Sequence, residues 1–364
     1  MMKRKGIVIL AIIAFGVFLW LIYMNGYKRG SWYLIDATGN RVSNIGYEDC
    51  KGVIEIEDKH FFVFTKRNRF STKIPFYKET FFIVDNEGKT IFKGDSKRIE
   101  IDDLHNLIQD KGRYIIIDAK GKTIYKAPKD KGIEDGTNYF GVVPFYYRDE
   151  NVSEDDRRYG YINMQDEVIL EPQFKRADPI GKDGLACVVT EEGKYGFIDA
   201  KGEYAIPPIY DYADEFSDGL AQVALGEKRE YVDTEGTVVL EKEGGYFHEG
   251  FASIKNESGK EAYMDKNGEL ITDYDYDIAY PFYNGYAIAT IDGLDGAIDT
   301  KGEIIIEPKF KNLGLFSEDG LAALKGDNGF YGFINTKGEW QIAAQYENVY
   351  DYRDGVAAVK EAAK

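Results

Sequence analysis

The sequence predicts a mainly β protein, built of tandem antiparallel β-meander repeats of about 35 residues. These form a propeller-like ring or an open curved solenoid, preceded by one N-terminal transmembrane helix. Two registers with one period carry the repeat. The turn Asp/Asn-x-x-Gly recurs as IDAKGE, VDTEGT, MDKNGE, IDTKGE and INTKGE, starting from Asp199, Asp233, Asp265, Asp299 and Asn335, at spacings of 34, 32, 34 and 36 residues. In a second phase DGLACV, DGLAQV, EGFASI, NGYAIA, DGLAAL and DGVAAV place Gly184, Gly219, Gly250, Gly285, Gly320 and Gly355. A third observation, one long uncharged run at the start, predicts the helix.

That run extends from Gly6 to Met24. At about 1.5 Å per residue it reaches about 28 Å, close to the ~30 Å of a bilayer's hydrocarbon core. It ends Trp20-Leu21-Ile22-Tyr23-Met24 with no small-x-small site, so it reads as an uncleaved anchor, with a cleaved signal peptide as the competing reading. Trp20 and Tyr23 sit where interfacial aromatics are favoured. Lys3, Arg4 and Lys5 before the run against Lys28 and Arg29 after it make residues 1–5 a cytoplasmic tail. The expectation is a single-pass protein of the cell membrane with an extracytoplasmic body.

Residues 25–156 read as degenerate repeats with long hairpin tips. Their turns are LIDATGN (Asp36), IVDNEGK (Asp85) and IIDAKGK (Asp118), and spacings of 49, 33 and 45 imply insertions. HFFVF and ETFFIVD flank TKRNRFSTKIPFYK, while GVVPFYY and RYGYIN flank RDENVSEDDR. Such tips are where a repeat protein adds function without disturbing its core. The first concentrates Lys66, Arg67, Arg69 and Lys73, a candidate contact for an anionic surface such as lipid headgroups or a wall polymer. The second, with Asp149, Glu150, Glu154, Asp155 and Asp156, reads as a solubilising tip.

Residues 157–364 hold six clear units. In one of them the alternation of Leu185 to Val189, Tyr195 to Ile198 and Tyr204 to Ile206 gives three strands, and IYDYADEF supplies a fourth short strand or a link. Asp followed by Gly at the fourth position suits a type I turn closed by a residue at positive φ. Gly196 inside a strand marks a bulge or a close backbone approach. A single meander exposes an apolar face that it cannot cover, so equivalent units must stack. The tyrosines at repeat positions, Tyr195, Tyr210, Tyr231, Tyr263, Tyr276, Tyr331 and Tyr346, read as packing between units.

Tyr-Gly-Phe-Ile-Asp-x-x-Gly, followed some sixteen residues later by Phe-x-x-Gly-Leu-Ala-x-Val, resembles the bacterial WG-repeat family, related to the KWG repeats. Tyr159, Tyr195 and Tyr331 stand where the family has Trp, and Glu230-Tyr231 and Glu261-Ala262 lack the glycine. The resemblance implies a β-rich scaffold with a role in interaction, and it supplies no catalytic residue.

The charge narrows the partners. Past residue 30 the chain carries 41 basic against 63 acidic residues, a balance of -22, which disfavours nucleic acid because a basic face is scarce. His60, His105 and His248 share no repeat phase, and Cys50 and Cys187 form no C-x-x-C, so neither zinc nor a catalytic triad is indicated. DYDYD at 273–277 imitates a calcium loop, but Ile278 stands at the glycine position and Asn284 at the bidentate glutamate. The sequence therefore points to a non-catalytic membrane-anchored scaffold without cofactor that binds envelope protein. A module binding glycan or wall polymer is the alternative.

Overall fold

A computed structural model of the protein describes residues 31–42, 46–68, 78–95, 99–101, 107–110, 113–134 and 139–362. The expected anchor at 6–24 lies outside the described residues. Among those described, no helix is long and apolar enough to cross a membrane, and the only helix is a 3-10 turn at Glu154–Asp156.

The described strands form eight small sheets, each antiparallel throughout. In chain order, unit 1 spans residues 49–95, unit 2 99–126, unit 3 131–174, unit 4 176–210 and unit 5 212–240. Unit 6 keeps only two strands, Phe251–Lys255 and Glu261–Asp265, and unit 7 spans 278–310. The last sheet has five strands and serves two units. Trp340–Val349 pairs through Tyr346 and Ile342 with Tyr331–Asn335 of unit 8, and through Asn348 and Val349 with Val356–Glu361 of unit 9. Unit 9 is completed by Trp32–Asp36 from the other end of the chain, in register Trp32↔Lys360 to Asp36↔Val356. Six clear and three degenerate repeats thus become nine packing units.

No sheet encloses a core of its own. Among the described residues nine apolar clusters each join two neighbouring units, as Leu185, Cys187 and Phe197 of unit 4 meet Ala221, Val223 and Val232 of unit 5. The sequence of clusters returns to its start: Phe333 and Ile342 of unit 8 pack on Tyr33 and Val359 of unit 9, and Trp32 and Leu34 of unit 9 pack on Phe62 and Phe64 of unit 1. The array is therefore a closed propeller-like ring, not an open solenoid. Its largest fully buried side chains are all Tyr or Phe, each worth roughly 1.5–3 kcal/mol of burial. Of the seven repeat tyrosines five are buried, and Tyr195 and Tyr331 are half-buried.

The repeated motifs acquire physical reasons here. Each Asp or Asn of the turn turns one side-chain oxygen back onto two backbone N–H groups, those of Lys201 and Glu203 for Asp199 at 2.9 and 3.0 Å. Asn163 and Asn335 do the same, so the acceptor and not the charge is what the turn needs. The strand glycine serves a different end. Gly196 faces a bulge in the fourth strand Tyr204–Tyr210, where the register jumps between Tyr195↔Tyr210 and Phe197↔Ile206. A Cβ there would lie 2.7 Å from the Pro208 Cα; at Gly332 it would lie 2.4 Å from the Ile342 carbonyl oxygen. Where the glycine is missing the fourth strand shrinks, to Val238–Leu240 in unit 5 and to isolated bridges at Tyr276 and Leu270 in unit 6. Gly332→Ala should therefore cost roughly 1–3 kcal/mol by forcing the bulge apart, and Ala262→Gly, where the segment opposite is reduced to isolated bridges and a Cβ is already accommodated, no more than about 1 kcal/mol. Thermal melts of the two variants check this, and equal melting of Gly332→Ala and the parent would refute the account of the bulge.

Candidate functional site: the channel wall

In units 4, 5 and 7 the first strands are two residues long: Arg176–Ala177, Tyr212–Ala213 and Ile278–Ala279. They form one edge of each sheet, and these edges, with the equivalent segments of the next units, line common clefts, here termed the channel wall. One cleft, of about 750 Å3, is lined by Ile278 and Tyr280 of unit 7, Lys311, Leu313 and Leu315 ahead of the strands of unit 8, and Asp351 between the first two strands of unit 9. A second, of about 420 Å3, joins Tyr212 and Asp214 of unit 5, Gly244 to Tyr246 ahead of unit 6, and Pro281 of unit 7. The clefts are neighbours, since Tyr280 lines one and Pro281 the other.

Local structure explains why these side chains stand open. In Tyr210-Asp211-Tyr212-Ala213 the chain bends at Asp211 between the last strand of unit 4 and the first of unit 5, which buries Tyr210 and Ala213 in the cluster between those units and leaves Tyr212 exposed on the wall. Tyr246, Ile278 and Tyr280 are exposed in the same way, Tyr246 at 61%. Backbone carbonyls nearby are already occupied: Tyr263 donates its hydroxyl to the Tyr280 carbonyl at 2.6 Å, Tyr231 to that of Gly245 at 2.6 Å, and the Gln222 amide to that of Gly244 at 2.8 Å. The wall is thus held by its backbone while its side chains remain exposed. Tyr212 donates its hydroxyl to Asp214, and that bond, aided by burial, pushes the phenol up to about 12.

The carboxylates of the larger cleft are not equivalent. Asp295 accepts from the Thr290 hydroxyl at 2.8 Å and from the Leu313 N–H at 3.0 Å. Asp351 has neither a hydrogen bond nor an ion pair among the described residues. Burial pushes its carboxyl above the ordinary range against the pull of Arg353. Lys311 is exposed on the cleft's rim and makes no ion pair among the described residues.

Other acids are committed to structure. The tips preceding the second strands place two successive residues at positive φ, as Asp218-Gly219, Glu249-Gly250, Asn284-Gly285 and Asp354-Gly355, the geometry of type I′ turns. Asp218 accepts from the Gly250 N–H at 2.6 Å, Glu249 from the N–H groups of Asn284 and Gly285 at 2.7 and 2.8 Å, and Asp354 from that of His60 at 2.7 Å. Each staples its unit to the next. A longer connection joins Glu55 and Asp58 of unit 1 to Lys182 of unit 4, with Lys182 Nζ 2.7 Å from Asp58, and the Tyr139 hydroxyl of unit 3 donates to Glu55 at 3.3 Å. Ion pairing raises the Lys182 ammonium and lowers the Asp58 carboxyl.

The candidates singled out in the sequence fall elsewhere. Lys66 is exposed at the end of Lys59–Asn68 and the backbone of Arg67 pairs with Glu79, whereas Arg69 and Lys73 lie outside the described residues. The two flanking strand pairs form hairpins, Lys59–Asn68 with Lys78–Val84 and Val142–Tyr147 with Tyr159–Asn163. Asp277 of DYDYD pairs with Lys260 at 2.7 Å and accepts from the Asp292 N–H at 2.7 Å. His60 lies against Asp354 and His248 against the Tyr283 ring; His105 lies outside the described residues. Both cysteines are free and buried, and burial pushes their thiols up. The channel-wall residues were not anticipated. Their only signal was the tyrosine-rich link between units, as in YDYA, which does not say which of its side chains stand open.

The family of WG containing repeats matches residues 159–195, 195–228, 262–294, 296–329 and 331–364. WG-containing repeats thus occur five times between residues 159 and 364. The gap between 228 and 262 falls where the strand glycine is missing and the fourth strand is reduced. No curated protein matches the chain. Among solved structures it is similar to BamB from Moraxella catarrhalis, at 10% identity over 90% of this chain and 91% of that one, with a TM-score of 0.35. It is also similar to a eukaryotic initiation factor, at 10% identity over 88% and 83% with a TM-score of 0.41. A third likeness is to the β-propeller domain of the Trilobed protease from Pyrococcus furiosus, at 12% identity over 81% and 98% with a TM-score of 0.36. The ring closure of the WG-repeat chain rests on its own strand pairing and packing.

Asp351 gives a pH-dependent test. Its raised folded-state value means that the charged form costs stability above that value, and the cost disappears as pH falls toward 3.8, the ordinary value. Asp351→Asn should therefore melt higher than the parent at neutral pH and alike below about pH 4. The other charges facing this position, Asp295, Lys311 and Arg353, are unchanged by the substitution. A variant that melts lower at neutral pH would show that the carboxylate has a stabilising partner.

Proposed function

We propose that this protein is a non-catalytic binding ring that takes up a polypeptide segment on its channel wall, held at the cell membrane by residues 6–24 with the ring on the outer side. The observation that carries the reading is the run of exposed apolar and tyrosyl side chains along the inner segments of units 5 to 7: Tyr212, Tyr246, Ile278 and Tyr280. Tyrosine and aliphatic surface on a rigid backbone is the composition favoured at protein contact sites, since little conformational entropy is lost on binding. The larger cleft supports a peptide over a sugar, because Ile278, Ile288, Leu313 and Leu315 give it aliphatic walls and not flat aromatic faces. The anchor is the sequence's contribution to this proposal. Nothing in it assigns a role to the basic tip at Lys66, Arg67, Arg69 and Lys73 beyond a second contact with an anionic surface.

A glycan-binding reading has one observation in its favour. In the smaller cleft Tyr212 and Tyr246 stand beside the Asp214 carboxylate, the pairing of ring face and acceptor that sugars use. Replacing Tyr246 with a photo-crosslinking residue in living cells separates the two. The expected result is a polypeptide adduct that soluble wall fragments do not displace and that is absent when Val239, exposed on an outer strand, is replaced instead. Displacement by wall fragments, or no polypeptide adduct, would overturn the polypeptide reading. Digestion of the ring by protease added outside an intact inner membrane is expected; protection until lysis would overturn the outer placement.

A further inference from the structure

The larger cleft contains a group that the free protein leaves unanswered. Asp351 sits on its wall without hydrogen bond or ion pair among the described residues. A carboxylate withdrawn from water is costly unless a cation or donor meets it. The neighbouring carboxylate, Asp295, is already satisfied by Thr290 and Leu313, so it adds negative potential without competing for a ligand's donors. Around the two acids the wall is aliphatic, with Ile278, Ile288, Leu313 and Leu315, and Tyr280 presents its ring at the edge.

An apolar sleeve ending in an unpaired carboxylate has the complement of a long basic side chain. The methylene stem of lysine or arginine packs on aliphatic surface while its charged head seeks an anion, and a tyrosine face adds attraction for the cation. We infer that the cleft between units 7, 8 and 9 receives a lysine or arginine side chain of the bound polypeptide, with Asp351 as its counter-ion. This rests on the reading of the channel wall as a polypeptide-binding surface and names the residue class it selects. Lys311, exposed on the rim, opposes an incoming cation and so sets how strongly the site discriminates. The acidic balance of the body, -22 past residue 30, acts in the same direction by attracting basic segments at long range.

The test is selection of a random hexapeptide library displayed on phage against the purified full chain, in parallel with Asp351→Asn, Lys311→Ala and Tyr246→Ser/Tyr280→Ser. Asp351 has no hydrogen-bond partner among the described residues to lose, and thermal melting verifies that each variant is folded. The expected outcome is at least tenfold enrichment of Lys or Arg at one position on the parent chain. Asp351→Asn should lose it and Lys311→Ala should strengthen it, while apolar preferences at adjacent positions persist in both. Enrichment of apolar peptides without a basic preference, or a basic preference unchanged in Asp351→Asn, would overturn the inference while leaving the polypeptide-binding reading intact. Enrichment equal on the parent and the Tyr246→Ser/Tyr280→Ser chain, or none on either, would overturn that underlying reading instead. A final titration with N-acetyl-lysine methylamide and with spermidine distinguishes a side chain from a free polyamine; saturation by spermidine alone would overturn the assignment to a side chain.

Discussion

Each sheet of this protein has two apolar faces and no core, so every unit depends on a neighbour to keep water from them. A row of such sheets ends in two uncovered faces unless its ends meet. Here they meet in the ninth unit, where Trp32–Asp36 lies beside Val356–Glu361 and the clusters on either side join it to units 8 and 1. Closure removes the exposed terminal faces that an open solenoid would have to protect with polar caps. It also couples the two ends of the chain, because neither the N-terminal strand nor the C-terminal sheet is complete alone.

The repeat itself was legible because it is written in short-range chemistry. Asp199 and its equivalents bond to N–H groups two and four residues on, and Gly196 faces a bulge about a dozen residues away, so both signals survive in the linear order. Even the irregular units could be located in advance, since Glu230-Tyr231 and Glu261-Ala262 depart from the pattern where the fourth strand is shortened or reduced to bridges. Closure was not legible in the same way. The pairing of Trp32 with Lys360 joins residues from opposite ends of the chain, and no local pattern distinguishes a ring from a solenoid. How the last unit is completed was hidden for a related reason: Trp340–Val349 reads as one long strand yet serves two units with its two halves.

The channel wall was invisible for a third reason, which concerns exposure and not pairing. Tyr210 and Tyr212 are two residues apart in one short segment, and one is buried while the other stands open. Strict alternation would put both on one face; they differ because the chain bends at Asp211, between the last strand of unit 4 and the first of unit 5, a break that the linear pattern does not mark. The acids show the same limit. Asp218, Glu249 and Asp354 look as available in sequence as Asp351, yet each of the first three holds the N–H of another unit and only the last lies unpaired on a cleft.

The position of the candidate site then follows from the irregularity of the array. A perfectly regular ring would line its channel with equivalent first strands, each paired to its second strand and leaving little relief. Unit 6 breaks this regularity: its inner segment carries Gly244 and Gly245 where other units have a paired two-residue strand, and only the Gly245 N–H still reaches the Ser253 carbonyl, at 2.8 Å. The recess so formed is the smaller cleft, and it lets Tyr246 project. Ahead of unit 8 a similar departure occurs, where Lys311 to Leu315 run as irregular chain held by the Gly314 N–H on the Ala323 carbonyl, and the larger cleft opens beside it. Both clefts thus lie where the repeat is least regular, on a scaffold whose regular units fix the wall around them. That is the division expected if the regular positions are constrained by stacking and the irregular ones are free to take on binding.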